Sequence, residues 1–234
     1  VADGAGSASR ADEGASLVCS FMYGALAATM AAHGCIGALT RDVIVELLRD
    51  LRDEIAFEAA AAGVASREFA STLLGAVVGL DEATFFQIGD GAIVVAAEDE
   101  ADGYSWIFWP ERGEYEGMTA FVTDPEVESH LQWERCARPC DQVALLSDGL
   151  QRLALDFATH TAHAPFFRSK MQAIEAAPNL PPEELSRQLE RFLASPEVNA
   201  RTDDDKTLVL ATRRRAPAPP PAIDADDDGA EALR

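Results

Sequence analysis

Residues 142–150, QVALLSDGL, set a run of aliphatic side chains directly against Ser147, Asp148 and Gly149. The apolar run is continuous, which predicts a buried strand that delivers its last residues into a turn. Similar short runs lie on either side of it. ATFFQIG (83–89) and AIVVAAE (92–98) flank Asp90 and Gly91, while KTLVLATR (206–213) follows the acidic triplet Asp203, Asp204 and Asp205. FASTLLGAVVGL (69–80), YSWIFWP (104–110) and TAFVTD (119–124) read as further strands. The DE and DG pairs between them are turn signals of an antiparallel meander.

Helical patterns surround these strands. VADGAGSASR (1–10) is loop-like and leads into a helix from about Glu13 to Ala32. A second helix starts at Thr40, a good N-cap, and carries Ile44, Leu47, Leu48, Leu51 and Ile55 at helical spacing, ending near Gly63. Residues 156–195 return to helical patterns, broken at Pro165 and around PNLPP (178–182). Helices, strands, helices and a final strand, without parallel βαβ repetition, predict an α+β domain whose helices cover antiparallel sheet. It should occupy residues 1–212. From 213 to 234 the composition shifts to Pro, Ala and Asp, which predicts a disordered tail.

The 234 residues fit one domain, and 40 acidic against 19 basic residues give a net charge of -21. That balance disfavours nucleic acid and anionic membranes as partners. Residues 14–40 carry no Asp, Glu, Lys or Arg and are long enough to span a bilayer. Their Ala, Gly, Ser and Thr content and the preceding acidic residues instead predict a helix buried in a core, and no membrane. Cys19, Cys35, Cys136 and Cys140 show no disulfide framework, so free thiols in a reducing cytoplasm are expected. Cys136 and Cys140 have half the ligands of a zinc site, but no second pair accompanies them.

Asp3, Asp90, Asp148 and Asp203–Asp205 all sit in turns beside apolar segments. Taken singly, an Asp-Gly pair is more often a hairpin corner than a ligand. Taken together, carboxylates clustered in space repel unless protons or a metal neutralise them. Oxygen ligands without His or Cys favour magnesium or manganese over zinc. His33, His130, His160 and His163 fit structural or surface roles. DADDDG (224–229) matches the opening of an EF-hand loop, but the chain ends one residue short of the required twelfth-position Glu.

The ordered set DGxG, GDG, SDG and DDKT resembles the metal-dependent protein phosphatase family, protein phosphatase 2C, and in particular a bacterial branch whose first motif reads DGAGSA. STLLGAVV, FFQIGDGAIVV, GEYEGMTAFVTD and VALLSDGL support the resemblance, which runs from Val1 to about Thr212. It implies an α-β-β-α sandwich of two antiparallel sheets flanked by helices, with metals at one end between the sheets. It further implies that Asp3 bridges two manganese or magnesium ions and that the Gly4 carbonyl holds one of them. Asp148 and Asp204 would ligate the other, Asp204 being matched through Thr207. Asp90, with Asp148, would hold a third, weaker ion. Two divalent ions about 4 Å apart activate a bridging water and neutralise phosphoryl oxygens, so no catalytic side chain beyond that water is required.

Two departures from the family pattern carry their own implications. Ala5 stands where familiar members have a histidine. The chain also starts two residues before Asp3, so the resemblance implies a domain lacking the family's N-terminal hairpin, with a sheet edge unpaired. That hairpin would supply an acidic residue and a phosphate-binding arginine, a contact for which Arg10 is the remaining candidate. The function implied is a serine/threonine phosphatase hydrolysing phosphomonoesters of a protein phosphorylated by a cognate kinase in bacterial signalling. The alternative is a non-catalytic, phosphatase-like module that binds a phosphoprotein or regulatory partner.

Overall fold

Phe85 and Phe86 are adjacent in sequence, belong to one strand and are both completely buried. Successive strand residues face opposite sides of a sheet, so that strand must be covered on both faces. This was seen in a computed structural model of the chain, which describes residues 1–97, 103–110, 119–177 and 179–213.

The chain runs through α1 (Ala11–His33), α2 (Arg41–Ala62), β1 (Leu73–Val78), β2 (Ala83–Ile88), β3 (Ala92–Ala96) and β4 (Ser105–Phe108). It continues through α3 (Val127–His130), β5 (Gln132–Cys136), β6 (Gln142–Leu146), α4 (Gln151–Ala154), β7 (Leu155–Asp156) and β8 (Thr161–Ala162). It ends with α5 (Ala164–Glu175), α6 (Pro182–Leu193), α7 (Pro196–Asn199) and β9 (Leu208–Thr212). One antiparallel sheet has the order β1-β2-β5 and the other β4-β3-β6-β9; β7 and β8 form a separate hairpin.

Three apolar clusters make these elements into the expected four-layer sandwich. Leu74, Phe85, Ile93, Val95, Val143 and Leu145 fill the space between the sheets. Phe86 and Ile88 turn outward to pack with Val18, Met22, Ile44, Leu48 and Leu51 of the first two helices. On the opposite side Val94, Ala144, Leu146 and Leu208 pack with Phe166, Phe167 and Met171 of α5.

Several sequence expectations need correction. The strands β2 and β3 are not neighbours in a meander, because the Gly89–Gly91 turn carries the chain from one sheet to the other. TAFVTD forms no strand: Phe121 N–H bonds the Asp124 carboxylate at 2.8 Å, closing a turn. The strand that completes the first sheet is instead β5, QWERC, whose polar, half-exposed pattern gave no apolar signal. Residues 155–162 form the β7–β8 hairpin rather than helix, with the Asp156 carboxylate accepting from the N–H groups of Ala158 and Thr159. Pro165 does not break a helix but begins one, in the first turn of α5, where its missing N–H costs nothing.

The N-terminal residues are not a loop throughout. Leu74 N–H bonds Val1 O, and Thr72 N–H bonds Asp3 O, both at 2.8 Å, so this segment lines the Ser71–Leu74 part of the sheet edge. The acidic tail and its DADDDG stretch lie outside the described residues. Arg213, the last described residue, is held by the Asp141 carboxylate at 2.9 Å and the Gly79 carbonyl at 2.8 Å.

The helix α1 is less buried than expected. Among the described residues it is the one helix long and apolar enough to cross a membrane, yet only Gly14, Val18 and Met22 are fully covered. Its small side chains allow a narrow, close contact on one side. A Cβ at Gly14 would lie 2.2 Å from the Phe69 carbonyl oxygen, a backbone atom that cannot move aside cheaply. Gly14→Ala is therefore expected to cost about 1–3 kcal/mol despite the better helix propensity of alanine. Urea denaturation checks this; an unchanged or raised midpoint would show that the α1 contact is not tight.

Candidate metal centre

The SDG turn lies where β6 leaves the sheet. Ser147 is buried and takes both sides of a clasp: its N–H donates to Thr207 O at 3.1 Å, and its hydroxyl accepts from Thr207 N–H at 3.1 Å. The same hydroxyl lies 3.4 Å from Asp205 O. The acidic triplet is thus fastened beside the turn that carries Asp148. Gly149 permits that approach, since a Cβ there would fall 2.1 Å from Asp205 O and 3.3 Å from the Asp204 Cβ.

The GDG turn is tied to the same place. Gln87, fully buried, donates from its side-chain nitrogen to Gly89 O at 3.1 Å and Gly91 O at 3.0 Å. Gln151, on the turn of helix directly after Asp148, donates to Asp90 O. Thr119 donates to the Asp90 carboxylate at 2.7 Å. Asp3 arrives from the other sheet, where its N–H bonds the Thr72 hydroxyl at 3.0 Å, and Gly4 bridges to Ser71 and packs on Ala11 at the start of α1.

Asp3, Asp90, Asp148 and Asp204, from four separate segments, thereby act on one another. Burial pushes the Asp148 carboxyl up to about 7, helped by the charges of Asp90, Asp204 and Asp3. Asp3 is also raised, first by burial, with the charges of Asp204, Asp205 and Asp90 adding to it, while a side-chain hydrogen bond from Asp148 works the other way. Asp204 is exposed at the mouth. Among the described residues no three His, Cys, Asp or Glu side chains stand in a closed ligating arrangement. Mutual repulsion of the carboxylates opposes such closure. The donor set is made of hard oxygens only, which fits magnesium or manganese and not zinc.

Arg10 makes different contacts. Its guanidinium pairs with Glu13 and lies 5.2 Å from the centre of the Phe69 ring. The charges that act on Asp3 and Asp148 come from neighbouring carboxylates. The supporting residues Ser147, Thr119, Gln87 and Gln151 were not singled out by the sequence. The serine beside Asp148 was visible in SDG, but nothing in the sequence pairs Gln87 or Thr119 with Asp90.

The protein phosphatase 2C family model matches residues 1–194. The chain belongs to that family. Serine/threonine-protein phosphatase 3 of Escherichia coli K12 is 38% identical to this protein phosphatase 2C chain over 211 residues, covering 90% of this chain and 81% of that protein. Among solved structures, a bacterial serine phosphatase superposes with a TM-score of 0.60 at 15% identity, over 93% of this chain and 86% of that one. PppA of Pseudomonas aeruginosa gives 0.58 at 16% identity over 89% and 82%. The catalytic domain of PstP in complex with two manganese ions gives 0.55 at 16% identity over 89% and 84%. These structural likenesses establish the phosphatase 2C sandwich, and the family establishes a metal-dependent serine/threonine phosphatase, a hydrolase.

The electrostatics set a pH dependence. A carboxyl whose folded pKa is raised from 3.8 to about 7 holds a proton in the fold that the unfolded chain has released. Its stabilising contribution is full below about pH 4 and lost as pH rises through about 7. With chelator present, the urea midpoint should fall between about pH 5 and about pH 8, and Asp148→Asn should remove most of that fall. A midpoint that rises over this range would contradict the clustered site. Gly149→Ala should separate Asp204 from Asp148 and weaken manganese binding about tenfold or more, read by calorimetric titration, with Asp148 still in place. Wild-type affinity in that variant would show that the Asp205 contact does not position the ligand.

Proposed function

We propose that Asp3, the Gly4 carbonyl, Asp148 and Asp204 hold two manganese or magnesium ions, with Asp90 and Asp148 holding a third, weaker one, and that this centre hydrolyses phosphoserine and phosphothreonine esters of proteins. The observation that carries the assignment is the gathering of four carboxylates from four segments, with Asp3 and Asp148 both forced toward protonation. Divalent ions at such a site lower the pKa of water for in-line attack and neutralise charge on the phosphoryl oxygens.

The chain's own residues supply position. The Ser147–Thr207 clasp and the Gly149 contact keep Asp204 opposite Asp148. Thr119 fixes the Asp90 carboxylate, and Gln151 fixes the backbone beneath it. Asp148 must give up its proton before it can ligate a cation fully, so metal binding and proton loss are linked. With Ala5 in the first motif, that position offers no side-chain acid for the leaving alkoxide. Arg10 can meet a substrate phosphate only if its pair with Glu13 opens.

The substrate is a phosphoprotein, and we place the enzyme opposite a serine/threonine kinase in bacterial cytoplasmic signalling. All four cysteines being free supports a reducing compartment. The net charge of -21 supports a protein rather than a nucleic acid partner.

Hydrolysis of p-nitrophenyl phosphate and of a phosphothreonine peptide should require manganese or magnesium and stop with chelator. Asp148→Asn and Asp204→Asn should each lower turnover on the order of a hundredfold or more without changing the circular dichroism spectrum. Wild-type turnover in both variants would defeat the ligand assignment.

A further inference from the structure

The side of the molecule built from α5, α6 and β9 contains two adjoining cavities that the phosphatase reaction does not use. The first, about 500 Å³, is lined by Lys170, Ile174, Leu185, Leu189, Phe192 and Leu210 among others. The second, about 550 Å³, shares Ser186, Leu189 and Leu208 with it and extends to Asp205, Lys206 and Thr207. Each has the size of a small-molecule site.

Lys170 is what makes the first cavity more than an apolar gap. Its ammonium is half-buried, 3.7 Å from the centre of the Phe166 ring and 4.1 Å from that of Phe192, and it donates to Phe166 O at 2.8 Å. An ammonium has three donors, and this is its single hydrogen bond among the described residues. No carboxylate among the described residues pairs with it, although the chain carries 40 acidic residues. Burial accounts for a pKa pushed down to about 8, with no anion among the described residues supporting the charge. A half-buried cation held by two aromatic faces and one carbonyl, with no carboxylate partner among the described residues and an apolar groove beside it, is complementary to a ligand that has one negative group on a hydrocarbon body.

We propose that the cavity between α5, α6 and β9 binds a small amphipathic carboxylate, its charged group on Lys170 and its hydrocarbon body along Ile174, Leu185, Leu189 and Leu210. The adjoining cavity reaches Asp205, Lys206 and Thr207, the segment that Ser147 and Gly149 hold beside Asp148. A body long enough to enter it touches the support of Asp204, which makes the site regulatory. Coupling of this kind is reciprocal: ligand and metal change each other's affinity by the same factor. This second half of the proposal rests on the metal assignment above; binding of the carboxylate does not.

The test is calorimetric titration of the full chain with decanoate and with 1-decanol, which has the same body and no charge. Decanoate should saturate at one per chain and bind about tenfold tighter than the alcohol. Lys170→Met should remove that advantage and leave binding of the alcohol unchanged. Ser186→Trp, at an exposed position of α6 that lines both cavities, should weaken both ligands without disturbing the core. No saturable binding of decanoate, or equal decanoate affinity in wild type and a folded Lys170→Met, would overturn the site. Manganese affinity measured with and without saturating decanoate reads the coupling; an unchanged value would overturn the regulatory half and leave the binding result standing.

Discussion

Burial raises the carboxyls of both Asp3 and Asp148, and each also feels the charges of neighbouring carboxylates, so both favour a bound proton. They come from opposite sheets of the sandwich, Asp3 from the segment beside Ser71–Leu74 and Asp148 from the turn after β6. The fold brings them together against their own repulsion, with Asp90 and Asp204 adding to it. Such an arrangement costs stability unless a proton or a cation supplies positive charge. Protons serve below neutrality; under the proposed assignment a divalent cation serves above it.

The rest of the structure can be understood as the scaffold for that strained gathering. Both sheets are covered on both faces, so Phe85 and Phe86 anchor the β2 backbone from two sides at once. A strand held this firmly fixes the turn that follows it, and Gln87 ties that turn's carbonyls from below. Across the second sheet, Ser147 clasps Thr207 where β6 ends and β9 begins, which brings the Asp148 and Asp204 turns side by side. Local turn chemistry alone would leave four separate Asp-containing corners; packing of the two sheets makes them one site.

How much of this was legible in the sequence follows from the same physics. The apolar runs of β2, β3 and β6 signalled strands, with only β6 read as buried, and the helical spacing in α2 was unambiguous. β5 was invisible because an edge strand with polar, half-exposed residues has no hydrophobic pattern to read. TAFVTD misled in the opposite direction, its β-prone residues overridden by a turn that Asp124 closes. In α1 the absence of charge suggested burial, but small side chains make a narrow contact and leave much of the helix exposed. The aspartates that the fold draws together were visible as ordered motifs with glycine neighbours. Thr119 and Gln151 were not, because their partner Asp90 lies tens of residues away, and Gln87 was not, because its bonds to Gly89 O and Gly91 O depend on how the turn folds back and no spacing rule marks them.

With Asp3 and Asp148 both raised, a divalent cation binding there displaces a proton. Calorimetric titration with manganese at about pH 6, repeated in two buffers of different ionisation enthalpy, counts the protons released on binding. Release of about one proton per chain is expected, absent in Asp148→Asn. Tight manganese binding with no proton release in the wild type would contradict it.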